Sequence, residues 1–312
     1  MYSVYQLTIK PFSGFATPLK GDTLFGQLCW ALREANGEEA LISVLDGYID
    51  GKPFAVLSDA MPDGYLPRPK LPTHYLGNIP DPTERKQWKN KKWISVSLFE
   101  QQINTWFSQS DSQPASEEMQ NHSHNSINRL TGTTGQDGLA PYSVGEYWHG
   151  LKTRLVIFAV IDEAALAPDL LEKLFIQIGQ FGFGKDASSG LGKFSVECCE
   201  KVTLVSQKNA NAWLTLAPCA PQGLGYDGAN SYWQPLTRYG RHGNIAALSG
   251  KPFKNPVLLA ESGSVFSGTK LATPLFVGQG LGGRGEISKV IKETVQQGYS
   301  PVVGIQVQEM IA

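Results

Sequence analysis

The chain has almost no net charge: 27 Lys and Arg stand against 28 Asp and Glu, a formal balance of −1 over 312 residues. A broad basic field of the kind that announces a nucleic-acid binder is absent, so any site for a polyanion has to be local. No run approaches the roughly 18 apolar residues of a membrane span. The opening MYSVYQLTIKPF alternates polar and apolar residues and lacks the apolar core of an export signal. A soluble cytoplasmic chain without a membrane partner is the expectation. Cysteine is scarce as well. Cys29, Cys198, Cys199 and Cys219 form no C-x-x-C pair, which argues against a zinc site and leaves reduced thiols packed as small core residues. Neither a metal nor a cofactor is expected.

Glycine and proline are abundant, at 33 and 19 residues with no G-X-Y period, so many ordered loops are implied. Between them the periodic segments fall in a definite order. Ser3–Ile9 alternates as a half-buried strand. GDTLFGQLCWALREANG then reads as a helix with Asp22 as N-cap and Leu24, Phe25, Leu28, Cys29 and Leu32 on one face. EEALISVLDGY reads as a second short helix and PFAVLSDA as a strand. From Met61 the prolines come too often for regular structure. The basic run ERKQWKNKKW and a short helix over Ser97–Phe107 follow. Ser108–Ser126 is almost wholly polar and predicts a mobile loop. RLVIFAVID (Arg154–Asp162) is a strand, and Pro168 opens a helix with Leu170, Leu171, Leu174, Phe175, Ile178 and Phe181 on one face. KFSVECCEKVTLV is a strand.

This order is β-α-β-β-α-β, the ferredoxin-like arrangement, with a long insertion in its middle. The fold expected is α+β: an N-terminal RRM-like domain over 1–206, interrupted at about 61–150, and a second RRM-like domain over 207–312. AWLTLAP and PVVGIQV supply strands of the second domain, and the glycine-rich VGQGLGGRGE lies between them.

FGFGKDASSGLGKF (Phe181–Phe194) has the composition of a phosphate cradle. As a nucleotide-triphosphate loop it would use Gly179, Gly184 and Lys185, but Asp186 stands where Mg²⁺ needs a hydroxyl, and a helix precedes where a strand should. As a dinucleotide fingerprint, Gly182, Gly184 and Ala187 meet the same reversed context. Two readings remain: glycines that simply turn the chain, since Gly takes positive φ freely, and a clamp in which backbone N–H groups, hydroxyls and a lysine position RNA phosphates without reading bases.

GDTLFGQLCWAL (Gly21–Leu32), LSDAMPDGYLPRPKLP (Leu57–Pro72), NRLTGTTGQDGLAPY (Asn128–Tyr142), GFGKDASSGLGKF (Gly182–Phe194) and ESGSVFSG (Glu261–Gly268), in this order, resemble the RAMP proteins of CRISPR systems. The closest resemblance is to the Csm-type, Cas5-like RAMP subunit of type III-A effector complexes, and it covers most of the chain. The glycine loop alone marks the superfamily; its conjunction with GDTLFG and RLTGTTG is more specific. The resemblance implies two fused RRM-like domains and a non-catalytic subunit for antiviral defence. Such a subunit holds the constant 5′ handle of the guide RNA (crRNA) and docks the large palm-domain subunit and an adjacent backbone RAMP subunit. Carried over by position, the RNA-binding residues are Lys20 and Thr23, Arg129 and Thr131, and Gly182, Gly184, Lys185, Ser188, Ser189, Gly190 and Lys193. Relatives often carry an acidic residue or arginine in that loop, where this chain has Lys185.

Aromatics beside such a handle would stack its bases, and Tyr65, Trp88, Trp93, Tyr142 and Trp148 lie in or near the insertion. The competing class is a RAMP endoribonuclease that processes repeat RNA, for which His74 is the candidate; His122 and His124 fall in the polar stretch expected to be mobile. A backbone RAMP subunit with a cutting aspartate is a third alternative. Asp59 and Asp63 read either as a divalent-ion pair or as turn formers beside Pro62 and Gly64.

Overall fold

The computed structural model describes residues 1–77, 91–106, 117–135, 140–223, 225–243, 248, 250–268 and 274–307. The first half runs β1 (Tyr2–Pro11), α1 (Gly21–Asn36), α2 (Glu38–Leu45), β2 (Ala55–Leu57), β3 (Met61–Pro62), β4 (Tyr65–Pro67) and β5 (Trp93–Ser95). It continues with β6 (Glu117–His124), β7 (Tyr142–His149), β8 (Leu155–Asp162), α3 (Pro168–Phe181) and β9 (Phe194–Val202). The second half holds β10 (Ala212–Thr215), β11 (Tyr226–Tyr232), β12 (Pro235–Arg238), β13 (Val257–Ala260), β14 (Val265–Gly268), β15 (Phe276–Gly282) and β16 (Val295–Ile305).

The first sheet is antiparallel in the order β2-β8-β1-β9, with β3 also on β8. Leu7 at its centre faces Ile157 on one side and Cys199 on the other. α1 joins β1 to β2 and α3 joins β8 to β9, which is the β-α-β-β-α-β order read from the sequence. The apolar stripe Leu24, Phe25, Leu28, Ala31 and Leu32 of α1 and Leu171, Leu174, Phe175 and Ile178 of α3 are buried in one core with Leu7, Ile9 and Ile157. Two details differ from expectation. The N-cap of α1 is Lys20, and Asp22 sits buried inside the first turn. Phe181, at the end of α3, is 67% exposed, because the chain turns out at Gly182 before the stripe completes another turn.

The second half departs further. Its sheet, β11-β14-β10-β16-β15, is antiparallel, and among the described residues no α-helix follows α3. The insertion covers this sheet in place of helices. Met61, Leu66, Leu71, Leu76, Ile94, Leu98, Phe99, Ile103 and Trp106 pack on Ala212, Leu214, Leu216, Val265, Val303 and Ile305 in a second core. Prolines there do break regular structure, yet two- and three-residue strands survive at β3, β4 and β5. The helix expected over Ser97–Phe107 is replaced by single 3₁₀ turns at Val96–Leu98 and Ile103–Thr105. Leu98, Ile103 and Trp106 still point inward. The polar stretch expected to be a mobile loop holds β6, an eight-residue strand paired throughout with β7.

Candidate nucleic-acid interface

The segment between β1 and α1, Ser13–Lys20, is a hub. Ser13 Oγ accepts from Lys193 N–H at 2.9 Å, and Gly14 C=O accepts from Gly192 N–H at 2.8 Å. Phe15 exchanges two backbone hydrogen bonds, each 2.9 Å, with Tyr147 of β7, and Thr17 Oγ1 accepts from Lys185 N–H at 2.9 Å. One short stretch thus fixes the glycine loop and the root of the β6–β7 hairpin together. The part of Ser13 and Thr17 in fixing the loop is not legible in the sequence, since an isolated hydroxyl in FSGFATP carries no spacing signal.

Within the loop the turn reading accounts for every glycine, since Gly182, Gly184, Gly190 and Gly192 all take positive φ. At Gly192 a Cβ would lie 2.2 Å from the Phe183 carbonyl oxygen; at Gly184 it would lie 2.6 Å from the Thr17 side chain. A ligand must be sought between the glycines. Asp186 holds φ 61, the one non-glycine positive φ among the described residues, and its C=O accepts from Ser189 and Leu191 N–H. The N–H groups of Gly182, Phe183, Lys185, Ser189, Gly190, Leu191, Gly192 and Lys193 are all committed within the described residues. Those of Gly184, Asp186, Ala187 and Ser188 donate to no described residue. Successive free N–H groups around a left-handed residue form a concave anion site. Ser188 and Ser189 are exposed beside it, as are Lys185 and Lys193. The Lys185 ammonium lies 3.7 Å from the Asp186 carboxylate, an exposed and therefore weak pair.

Lys20 and Thr23 are otherwise engaged. Asp59, 4% exposed, accepts from Lys20 Nζ at 2.8 Å and from Gly21 N–H at 2.9 Å. Burial works against the Lys20 charge, but Asp59, aided by Glu261 and Asp22, outweighs it and holds the ammonium above the ordinary lysine range. The Thr23 hydroxyl donates to Lys20 C=O at 2.8 Å. Asp59 is therefore the partner of a cation rather than half of an ion-binding pair with Asp63, whose N–H bonds Arg154 C=O. Among the described residues no three His, Cys, Asp or Glu side chains gather as a metal site.

Arg129 and Thr131 lie in the connection between β6 and β7, and no described contact joins them to the glycine loop. Asn128 Oδ1 accepts from Leu130 N–H at 2.9 Å and shapes a turn on which Arg129, Leu130 and Thr131 are all exposed. On one hairpin face Glu146, 4% exposed, accepts from Trp148 Nε1–H at 3.0 Å and lies 3.7 Å from His122 Nε2, while His124 stacks on Tyr142. His122 and His124 are accordingly held by strand pairing, not loose. His74 lies in a 3₁₀ turn against the Tyr75 ring. Tyr65 and Trp93 are half-buried on the paired strands β4 and β5. Trp88 and most of the basic run lie outside the described residues.

The sequence pattern of the RAMP superfamily matches residues 14–195, and the chain belongs to that superfamily. The match begins at the hub and ends just past the glycine loop. No curated protein matches by sequence. Among solved structures, a chain of the Csm1-Csm4 cassette in complex with pppApA shares 15% identity at a TM-score of 0.61, covering 99% of this chain and 100% of that one. The cassette in complex with cA4 gives 14% identity, TM-score 0.62 and the same coverage. A chain of the Csm3-Csm4 subcomplex in the type III-A CRISPR-Cas interference complex gives 14% identity and TM-score 0.56, covering 97% of this chain and 99% of that one. At such identities the likeness is one of fold. Among the described residues no helix is long and apolar enough to cross a membrane.

Proposed function

We propose that this chain is a non-catalytic, RNA-binding subunit of a type III CRISPR effector complex, acting in the cytoplasm. It holds the 5′ handle of the guide RNA and docks a large palm-domain subunit and a neighbouring backbone RAMP subunit. The observation that carries the reading is the set of uncommitted N–H groups at Gly184 and Asp186–Ser188, flanked by exposed Ser188, Ser189, Lys185 and Lys193. Such an array takes phosphates one after another and reads no base edge, which suits a segment of constant sequence. Arg129 and Thr131 would meet the RNA farther along, at the hairpin tip. The full-length fold likeness to chains of Csm1-Csm4 and Csm3-Csm4 assemblies supports the choice of partners. In this reading the chain is built as two RRM-like units, 1–206 and 207–312, the insertion serving as the cover of the second.

A processing nuclease is the second reading, favoured by the approach of His122 to Glu146. Recovering the tagged chain from its native cell, sequencing the RNA that accompanies it and identifying the proteins present separates the two. Short RNAs with one shared 5′ end together with a large partner, lost in Lys185→Ala/Ser188→Ala/Ser189→Ala, support the handle reading. Absence of RNA and partner overturns it, and so does cleavage of repeat RNA that disappears in His122→Ala.

A further inference from the structure

No Asp or Glu stands between Asp227 and Glu261, although acids make up 28 of the 312 residues. The same stretch carries Arg238, Arg241, Lys251 and Lys254 together with Tyr232, Trp233, Tyr239 and Phe253. It folds as a two-stranded arm. β12 pairs with β13, and a bridge between Arg241 and Phe253 extends the pairing beyond them.

The arm has two unlike faces. Its inner face lies along α1: Arg238 binds Asp22 near the start of that helix, and Gly243 packs so close to Trp30 that a Cβ would come 3.0 Å from the indole nitrogen. Leu259 is buried on this face, and the His242 ring nitrogen meets Ser288 Oγ at 2.8 Å. The outer face alternates with it and is open. Tyr239 is 76% exposed, Phe253 71% and Leu258 51%, and the Arg241 guanidinium lies over the Phe253 ring, 5.8 Å from its centroid. Among the described residues neither Arg241 nor Lys251 meets a carboxylate.

We propose that the outer face of this arm is a second contact for single-stranded RNA, separate from the glycine loop, on which bases stack against Tyr239 and Phe253 while Arg241 and Lys251 take phosphates. Exposed rings beside unpaired cations on an acid-free segment match a polyanion that offers a flat π-face with every residue. Anchoring of the inner face at two points along a helix keeps the rings in place before the ligand arrives. The proposal does not depend on the loop reading, because the two surfaces share no residue.

The test uses the full chain and a single-stranded RNA of about 15 nucleotides containing 4-thiouridine, a length that spans such a site. Photocrosslinks are expected to map to residues 239–243 and 250–254. Tyr239→Ala/Phe253→Ala is expected to weaken binding at least about fivefold, the low end for one lost stacked base, while Tyr239→Phe keeps wild-type affinity. Arg241→Ala is expected to reduce the slope of log affinity against log salt by about 0.7. Crosslinks confined to the glycine loop overturn the proposal, as does affinity unchanged within about twofold in the double variant. Protection of Tyr239 and Phe253 by a protein partner in the complex after RNA digestion also overturns it, assigning the face to that partner.

Discussion

Removing the Arg238 guanidinium is expected to cost far more than its surface position implies. Its partner Asp22 has a side chain 1% exposed, held by two hydrogen bonds of 2.6 and 2.9 Å, and the other described contact to that carboxylate is Gln296 at 3.4 Å. In Arg238→Ala a buried carboxylate loses its cation, a change that costs about 3–5 kcal/mol. With an unfolding entropy of ~2.1 cal/mol/K per residue, a chain of this length loses about 1.5 °C in Tm per kcal/mol, so the expected drop is roughly 5–8 °C. Burial pushes the Asp22 carboxyl above its ordinary range, with Arg238 pulling against that push. Without Arg238 the folded state takes up a proton at a pH where the unfolded chain is still ionised. The folded state then binds more protons than the unfolded, and the variant gains stability as pH falls through the raised folded-state value, narrowing its deficit until the unfolded carboxyl protonates as well. Asp22→Asn added to Arg238→Ala should recover most of the loss at neutral pH. Calorimetric melting of the two variants decides. A drop under about 1 °C in Arg238→Ala, or a double variant as unstable as the single, refutes the reasoning.

Trp106→Ala should cost about 3–5 kcal/mol, since the indole is fully buried, stacks on Phe99 and donates from Nε1 to Gln101 C=O at 3.1 Å; denaturant titration measures it. Gly192→Ala should destabilise by more than about 1 kcal/mol and weaken RNA binding, because its Cβ meets the Phe183 carbonyl oxygen at 2.2 Å and φ is +73; wild-type affinity and melting would show the loop yielding freely. Lys185→Ala should lower the salt slope of RNA binding by about 0.7 with little change in Tm. Burial pushes Cys29 and Cys219 up to about 12 and Cys199 up to about 11. Alkylation near neutral pH should therefore spare all three until denaturant is added, as peptide mass mapping will show.

The elements of the first sheet were legible because each packs a single face on one core. The period of Leu24, Phe25, Leu28 and Leu32, and the apolar run at Leu155–Ile161, could mean little else. β6 was not legible. EEMQNHSH has neither apolar alternation nor a buried face, and it is a strand because β7 pairs with it along its whole length. The insertion hid its role for a different reason. Prolines erase periodicity without removing the apolar side chains, so Leu66, Leu71, Leu76 and Trp106 form a core layer whose pattern no helix or strand template detects. In the glycine loop the composition singles out the segment, while which of its N–H groups are committed follows only from the folded backbone. The glycines serve the backbone, and the residues between them remain available.

β16 enters both cores: Tyr299 lies in the first, Val303 and Ile305 in the second, and Gln297 exchanges side-chain hydrogen bonds with both backbone groups of Leu57, 240 residues earlier. This has a temporal consequence. The layer formed by residues 61–76 and 94–106 leaves the ribosome before any strand of the sheet it covers has been made, so Phe99, Ile103 and Trp106 wait uncovered while most of the chain is translated. Contacts of such long reach close slowly, and an apolar layer without its sheet is exposed to aggregation in the interval. Slower growth or a co-produced partner should therefore raise the soluble yield more than any substitution in the layer itself.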